Sequence, residues 1–311
     1  MRARRPVLGR SALLSRQDGG MSTSVGVVFT PARPPELIRE FVVEAEALGF
    51  DEVLFFEDCF RESGLAAATA TLAWTQRIRV GIGVLPIPFR NVALLAMEVA
   101  TVERLFPGRL HLGVGHGVQR WMDQVGERVA SPLTLMREYV TALRALLAGE
   151  SVTVDGRYVR LDGVRLDWPP AAPVAVHAAG EGPKTLSLTG EVADGTLLTN
   201  GVSPGMAAEG VALARAGRAS AGREGEHPVS ILVMTAFGDG AQGRLAAELD
   251  AWGYTGERAT GVAGSVAEVA EQLRAWVDAG VGNLLLQPLD DETDLPGFLR
   301  SCAEVAALLR A

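Results

Sequence analysis

Short runs of β-branched and aromatic residues alternate with longer amphipathic runs eight times along this chain, and that alternation leaves few folds open. Strand-like runs fall at residues 25–29, 53–56, 78–84, 109–114, 174–178, 195–199, 229–235 and 283–287. Helical spacing of apolar residues marks most of the segments between them. Pro34 and Pro35 open the first, with Leu37, Phe41, Val42, Ala45 and Leu48 on one stripe and Gly49 at its end. Further helices are expected at 66–74, 92–105, 132–147, 183–190, 206–221, 242–252, 266–279 and 295–309. Strands joined through helices run parallel, because each crossover returns the chain to the same edge. Eight such units close into a (β/α)8 TIM barrel, an α/β fold; a doubly wound open sheet is the runner-up. Residues 151–161 alternate around Asp155-Gly156 and read as a β-hairpin insertion between strands 4 and 5.

With 311 residues, of which 48% are hydrophobic, the chain has material for one large core. A net charge of −8 argues against nucleic acid as a partner, since phosphate neutralisation needs a basic face. Residues 1–21 read as a disordered basic extension, and Met21 is a candidate start; the barrel domain is expected over 22–311. No apolar run reaches the roughly 20 residues of a membrane span, and Ala12-Leu13-Leu14 is far short of a secretory signal. No membrane association is therefore expected. Cys59 and Cys302 form no metal-ligand spacing and no disulfide framework, which fits a reducing cytoplasm and predicts no metal site.

A TIM barrel puts its chemistry at the C-terminal ends of its strands, so the residues just after each strand are the ones to weigh. After strand two stand Glu57 and Asp58, one to orient a cofactor and the other to relay a proton. Strand three ends in Gly83, Val84 and Leu85, where a backbone without bulky side chains can support a flat ring. Strand four runs into Gly113-Val114-Gly115-His116-Gly117, a glycine-rich end that leaves room for a cofactor and offers His116 as a donor. The incomplete glycine spacing disfavours a Rossmann fingerprint. After strand five, Gly180 and Gly182 precede a helix opened by Pro183, Lys184 and Thr185. Exposed amides at such a helix start bind anions, and this one is expected to cradle a phosphate. Thr199 and Asn200 end strand six and line the site. Phe55, Phe56, Phe60, Phe89, Trp121 and Met122 are candidate walls. No nucleophile elbow and no H-E-x-x-H pattern occurs, which disfavours hydrolases and zinc enzymes.

Three stretches together resemble the bacterial luciferase-like superfamily of flavin- and deazaflavin-dependent oxidoreductases. They are Val80-Gly81-Ile82-Gly83-Val84, the run from Pro107 to Gly117, and the run from Gly182 to Gly195; Gly264-Ser265-Val266-Ala267-Glu268-Val269 fits the ending. The resemblance covers most of residues 22–310. It implies a barrel enzyme, usually a homodimer, acting on a small-molecule substrate with coenzyme F420 or, alternatively, reduced FMN supplied by a separate reductase for monooxygenation. It implies that the ring leans on a strand-three bulge with a non-proline cis peptide at Gly83–Val84. It also implies that the phosphate sits on Glu181, Gly182, Lys184 and Thr185. Two departures matter. Relatives in the deazaflavin branch often carry Asp-His where this chain has Glu57-Asp58, which leaves Asp58 as the first catalytic candidate and His116 as the second. A sugar-phosphate dehydrogenase of the family carries a catalytic Glu where this chain has Val118, so that activity is not expected. A flavin-binding protein without turnover is the remaining reading.

Overall fold

The computed structural model describes residues 23–311, so the expected extension at 1–21 lies outside the described residues. In chain order the elements are β1 (Ser24–Val28), α1 (Ile38–Ala47), β2 (Glu52–Phe55), α2 (Gly64–Trp74), β3 (Arg79–Pro86), α3 (Val92–Leu105), β4 (Leu110–Gly115), α4 (Gln119–Gln124) and α5 (Pro132–Leu147). The hairpin β5 (Val152–Asp155) and β6 (Arg160–Val164) follows, then β7 (Val176–Ala179), α6 (Pro183–Val192), β8 (Gly195–Leu198), α7 (Pro204–Ser220), β9 (Val229–Phe237) and α8 (Ala241–Ala251). The chain ends with β10 (Val262–Gly264), α9 (Val266–Asp278), β11 (Asn283–Pro288) and α10 (Leu295–Arg310).

β11, β1, β2, β3, β4, β7, β8 and β9 pair in parallel in that order, and β9 pairs with both β8 and β11, so the sheet closes into the expected eight-stranded barrel. Two elements have no counterpart in the sequence reading. β10 adds three residues to the far end of β9, too short a run to leave a periodicity. The six-residue α4 has only Met122 buried, so it has no apolar stripe to read. The hairpin is antiparallel as expected, but its turn is not a two-residue Asp-Gly one. Asp155 pairs with Arg160, and Gly156–Val159 form a four-residue loop in which the Gly156 amide donates to the Val159 carbonyl.

Side chains pointing into the barrel alternate along each strand with period two and stack in three layers. At the N-terminal end the layer is polar: Glu52, His111, His177, Ser230 and Asn283. Above it Val28, Leu54, Leu197, Leu232 and Leu285 form a small apolar cluster of their own. The third layer, two residues further along, includes Phe56, Thr199, Met234 and Gln287 and faces a cavity. The main core lies outside this ring, between strands and helices. There the stripe read for α1 is buried at Phe41, Val42 and Ala45. α9 starts with a capping box, in which the Ser265 and Glu268 side chains bind each other's backbone amides.

Candidate active site

A cavity of about 480 Å³ opens at the C-terminal end of the strands, where a barrel enzyme keeps its chemistry. Eleven of the predicted site residues line it: Glu57, Asp58, Gly83, Val84, His116, Gly117, Gly180, Glu181, Gly182, Thr185 and Thr199. Asn200 lines it too. Two predicted residues do not. Lys184 points away into an outer groove with Arg137 and Glu191, because its position in the first turn of α6 faces α5. Leu85 is fully buried in the core, so it does not present a side chain to the cavity.

The stretch expected to support a ring is a bulge in β3. Pairing with β4 slips between Ile82 and Leu85, and the Gly83–Val84 peptide is cis, as the family resemblance implied; a second non-proline cis bond joins Cys59 and Phe60. Gly115 and Gly117 line the cavity as expected, but Gly113 has a different job. A Cβ on Gly113 would sit 2.5 Å from the Ile82 carbonyl oxygen, so this glycine admits the bulge itself rather than a ligand. Gly83 and Val84 are left half-exposed to the cavity.

The expected anion cradle falls at the start of α6. Gly182 is its N-cap, with no side chain bonded to the first-turn amides, and Pro183 has no amide to satisfy. The amides of Lys184 and Thr185 are therefore available to an anion at the positive end of the helix. A Cβ on Gly180 would lie 2.4 Å from Thr185 Cγ2, so glycine is what lets the chain pass this helix start, whereas a Cβ on Gly182 would meet nothing within 4 Å.

The acidic residues are not equivalent. Glu57 is spent on structure: its carboxylate accepts from Arg90 at 2.6 and 3.1 Å and from the Gly64 amide at the start of α2 at 2.8 Å. Glu181 accepts from Thr199 Oγ1 and from Arg258, each at 2.8 Å. Burial pushes Glu181 up, but these two hydrogen bonds hold it below the ordinary carboxylate range. Thr199 thereby braces Glu181 rather than waiting for a ligand. Asp58 makes no such bonds. Burial, with smaller pushes from Asp290 and Glu62, raises it to about 6 against the pull of Arg61. His116 is lowered by burial and its Nε2 is buried without a partner. An orphaned buried nitrogen beside a cavity points to a ligand atom that completes it.

The sequence reading missed the opposite wall. Trp252 and Tyr254, from the segment between α8 and β10, line the cavity with Leu232, Met234 and Gln287. Gln287 accepts from Asn200 Nδ2 at 2.8 Å, and Asn200 Oδ1 is buried without a partner. Arg258 stacks over the Tyr254 ring at 5.3 Å while bound to Glu181. The available signal was two aromatics directly after an amphipathic helix. Of the predicted wall, Phe56 and Trp121 line the cavity. Phe55 and Met122 are core residues, Phe60 is exposed to solvent, and Phe89 lies off the cavity in the turn after β3.

The sequence profile of luciferase-like monooxygenases matches residues 11–254. The chain belongs to this luciferase-like family. Its relatives include a 5,10-methylenetetrahydromethanopterin reductase of Methanolobus tindarius, 32% identical over 72% of this chain and 69% of that protein. An F420-dependent glucose-6-phosphate dehydrogenase of Nakamurella multipartita is 32% identical over 55% of this chain, and the match spans about half (54%) of that protein. Among solved structures, an F420-dependent secondary alcohol dehydrogenase in complex with an F420-acetone adduct superposes with a TM-score of 0.83 at 21% identity, covering 94% of this luciferase-like chain and all (100%) of the other. At that identity the superposition speaks for the fold.

Proposed function

We propose that this chain is a coenzyme F420-dependent oxidoreductase that moves a hydride to or from a small organic substrate. The observation that carries the reading is that one cavity holds an uncapped helix start, a half-open β-bulge and two titratable groups moved off their ordinary values. The relatives named above supply the cofactor. When bound, the deazaflavin supplies a ring carbon that accepts or donates hydride. The chain's own residues do the rest. The amides of Lys184 and Thr185 hold the phosphate. Gly83 and Val84 back the ring with main chain. His116 Nε2 meets a polar atom of the ligand. Asp58, ionised above about pH 6, takes up or returns the proton that accompanies the hydride.

The relatives named above favour F420 over FMN. Titration of both cofactors by fluorescence is expected to give F420 at least about tenfold tighter binding, a difference of about 1.4 kcal/mol. Tighter FMN binding, with oxygen uptake on supply of reduced FMN, would reverse the assignment to a monooxygenase.

We also infer a homodimer. α3 exposes Leu94, Met97 and Leu105 beside an exposed Trp168, an apolar face that a second copy would cover. Light scattering that gives the mass of one chain would remove this inference. No described helix is long and apolar enough to cross a membrane. Both cysteines are free, and a reducing cytoplasm is the compartment we infer from that.

A further inference from the structure

We propose that the substrate of this cavity is an uncharged, largely apolar molecule, and that phosphorylated or carboxylated molecules are turned away. This rests on the oxidoreductase reading and narrows it to a substrate class.

The first ground is the missing cation. A site that binds phosphate or carboxylate on a flexible substrate presents lysine or arginine to it. Among the described residues, no lysine or arginine side chain lines the cavity. Arg90 is held by Glu57 at 2.6 Å, and Arg258 by Glu181 at 2.8 Å. Arg61, the cation nearest Asp58 in its effect, is exposed and does not line the cavity. Lys184 lies in the outer groove. His116 is kept neutral by its burial. With those two pairs cancelling, Asp58 is the one carboxylate of the lining without an ion-pair partner, attracted by the exposed Arg61 but not paired with it. An anionic substrate would meet repulsion with no countercharge, and the low-dielectric wall strengthens it.

The second ground is what the wall offers instead. Phe56, Trp121, Leu232, Met234, Trp252 and Tyr254 supply broad apolar surface to the cavity. Between them, Asn200 and Gln287 give the wall an uncharged amide pair, with Asn200 Oδ1 buried and unspent. A neutral hydroxyl or amide N–H satisfies that oxygen, whereas an anion cannot donate to it. Apolar walls with one or two neutral polar contacts are what an uncharged organic substrate needs.

The one cradle for an anion, at the start of α6, is claimed by the cofactor. The charge rule therefore acts on the second ligand alone.

The test is calorimetric titration of a matched pair, 2-phenylethanol and 2-phenylethyl phosphate, onto the chain with and without F420 at pH 8, where Asp58 is ionised. The alcohol is expected to bind at least tenfold more tightly than its phosphate ester. Val118→Lys and Trp252→Lys each place a cation at an exposed position on the cavity rim. Either one is expected to tighten the phosphate ester by about tenfold, with fold retention checked by circular dichroism. With F420 bound, equal or tighter binding of the phosphate ester by the unaltered chain overturns the proposal, and so does absence of alcohol binding while F420 still binds. If F420 fails to bind but the alcohol preference holds, the cofactor assignment falls and the substrate class stands.

Discussion

Asp58 is placed where an ionised carboxylate is uncomfortable, and that discomfort is measurable in two ways. Unfolded, it gives up its proton near 3.8; folded, it keeps it until about 6. The folded state therefore binds more protons between those values, and stability declines as pH rises through that window. Asp58→Asn is expected to raise the Tm at pH 8 while lowering kcat by about 10²–10³, the usual worth of a placed acid–base group. The limb of the pH–rate profile near 6 is expected to disappear with it, while F420 affinity stays within about twofold. A variant that keeps both kcat and the limb would take Asp58 out of proton transfer. His116 makes the complementary case. Its buried Nε2 has no protein partner, so His116→Leu is expected to leave the Tm of the ligand-free chain level or higher. F420 affinity is expected to drop about tenfold as one hydrogen bond is lost. An unchanged dissociation constant would mean that the nitrogen faces water rather than cofactor.

At the scale of elements, the start of α6 makes a prediction that separates stability from binding. Gly182 has φ −83 and ψ 153, a conformation open to any residue, and free space where a Cβ would go. Asp at this N-cap would bond the first-turn amides and complement the helix dipole. Gly182→Asp is expected to hold or raise the Tm and to weaken F420 at least about 100-fold, because the new carboxylate takes the place of the phosphate. Lys184→Met, in the outer groove, is expected to change the affinity less than about twofold. Fluorescence titration and a melting curve check both variants, and a strong effect of Lys184→Met would move the anion site outward. The same element shows what a sequence can reveal. Glycines, Pro183 and Thr185 write a helix start into adjacent positions, so the cradle was legible. So was the β3 bulge, through the resemblance carried by Val80-Gly81-Ile82-Gly83-Val84. The wall formed by Trp252 and Tyr254 was not, since these residues reach the cavity only through the tertiary course of residues 252–261. Nor did spacing reveal that Glu57 would be taken by Arg90, thirty-three positions on, or that Lys184 would fall on the outer face of its helix turn.

Taken as a whole, the barrel stacks a titratable layer beneath the apolar ring that floors the active site. Glu52 is completely buried and accepts from His111 Nδ1 at 2.7 Å; His111 Nε2 meets His177 Nδ1 at 2.9 Å; Asn283 adds a bond to Glu52 at 3.2 Å. Position argues for stability rather than chemistry, because the N-terminal end of a barrel carries no site and Leu54, Leu197, Leu232 and Leu285 separate this layer from the cavity. Burial holds His177 well below its ordinary value, with the charges of His111 and His227 adding to it. Burial, helped by Arg218 and Arg223, lowers His227 from 6.5 to about 4, where its Nε2 meets Thr196 Oγ1. Unfolded, both imidazoles protonate near 6.5, so the unfolded chain binds more protons below that pH and stability falls as pH drops toward 4. Glu52 pulls the same way: burial raises it, but the stronger combined pull of His111, Arg79 and Asn283 lowers it, and its contribution is lost in acid. Asp58 opposes them, being better tolerated when protonated, and burial pushes Glu62, Glu98, Glu103 and Glu248 in the same direction. Between pH 7.5 and 5 the imidazoles of His116, His177 and His227, all lowered by burial, outweigh Asp58 and predict a Tm that falls, with Glu52 adding its loss only in stronger acid. His227→Gln keeps an acceptor for Thr196 but removes one titration, and it is expected to recover about 2–4 °C of that fall, the shift made by about 1 kcal/mol in a domain of this size. The F420 affinity of the same variant is expected to be unchanged at pH 7.5. A fall of equal size in the variant and the unaltered chain would show that the acid sensitivity arises elsewhere than at His227.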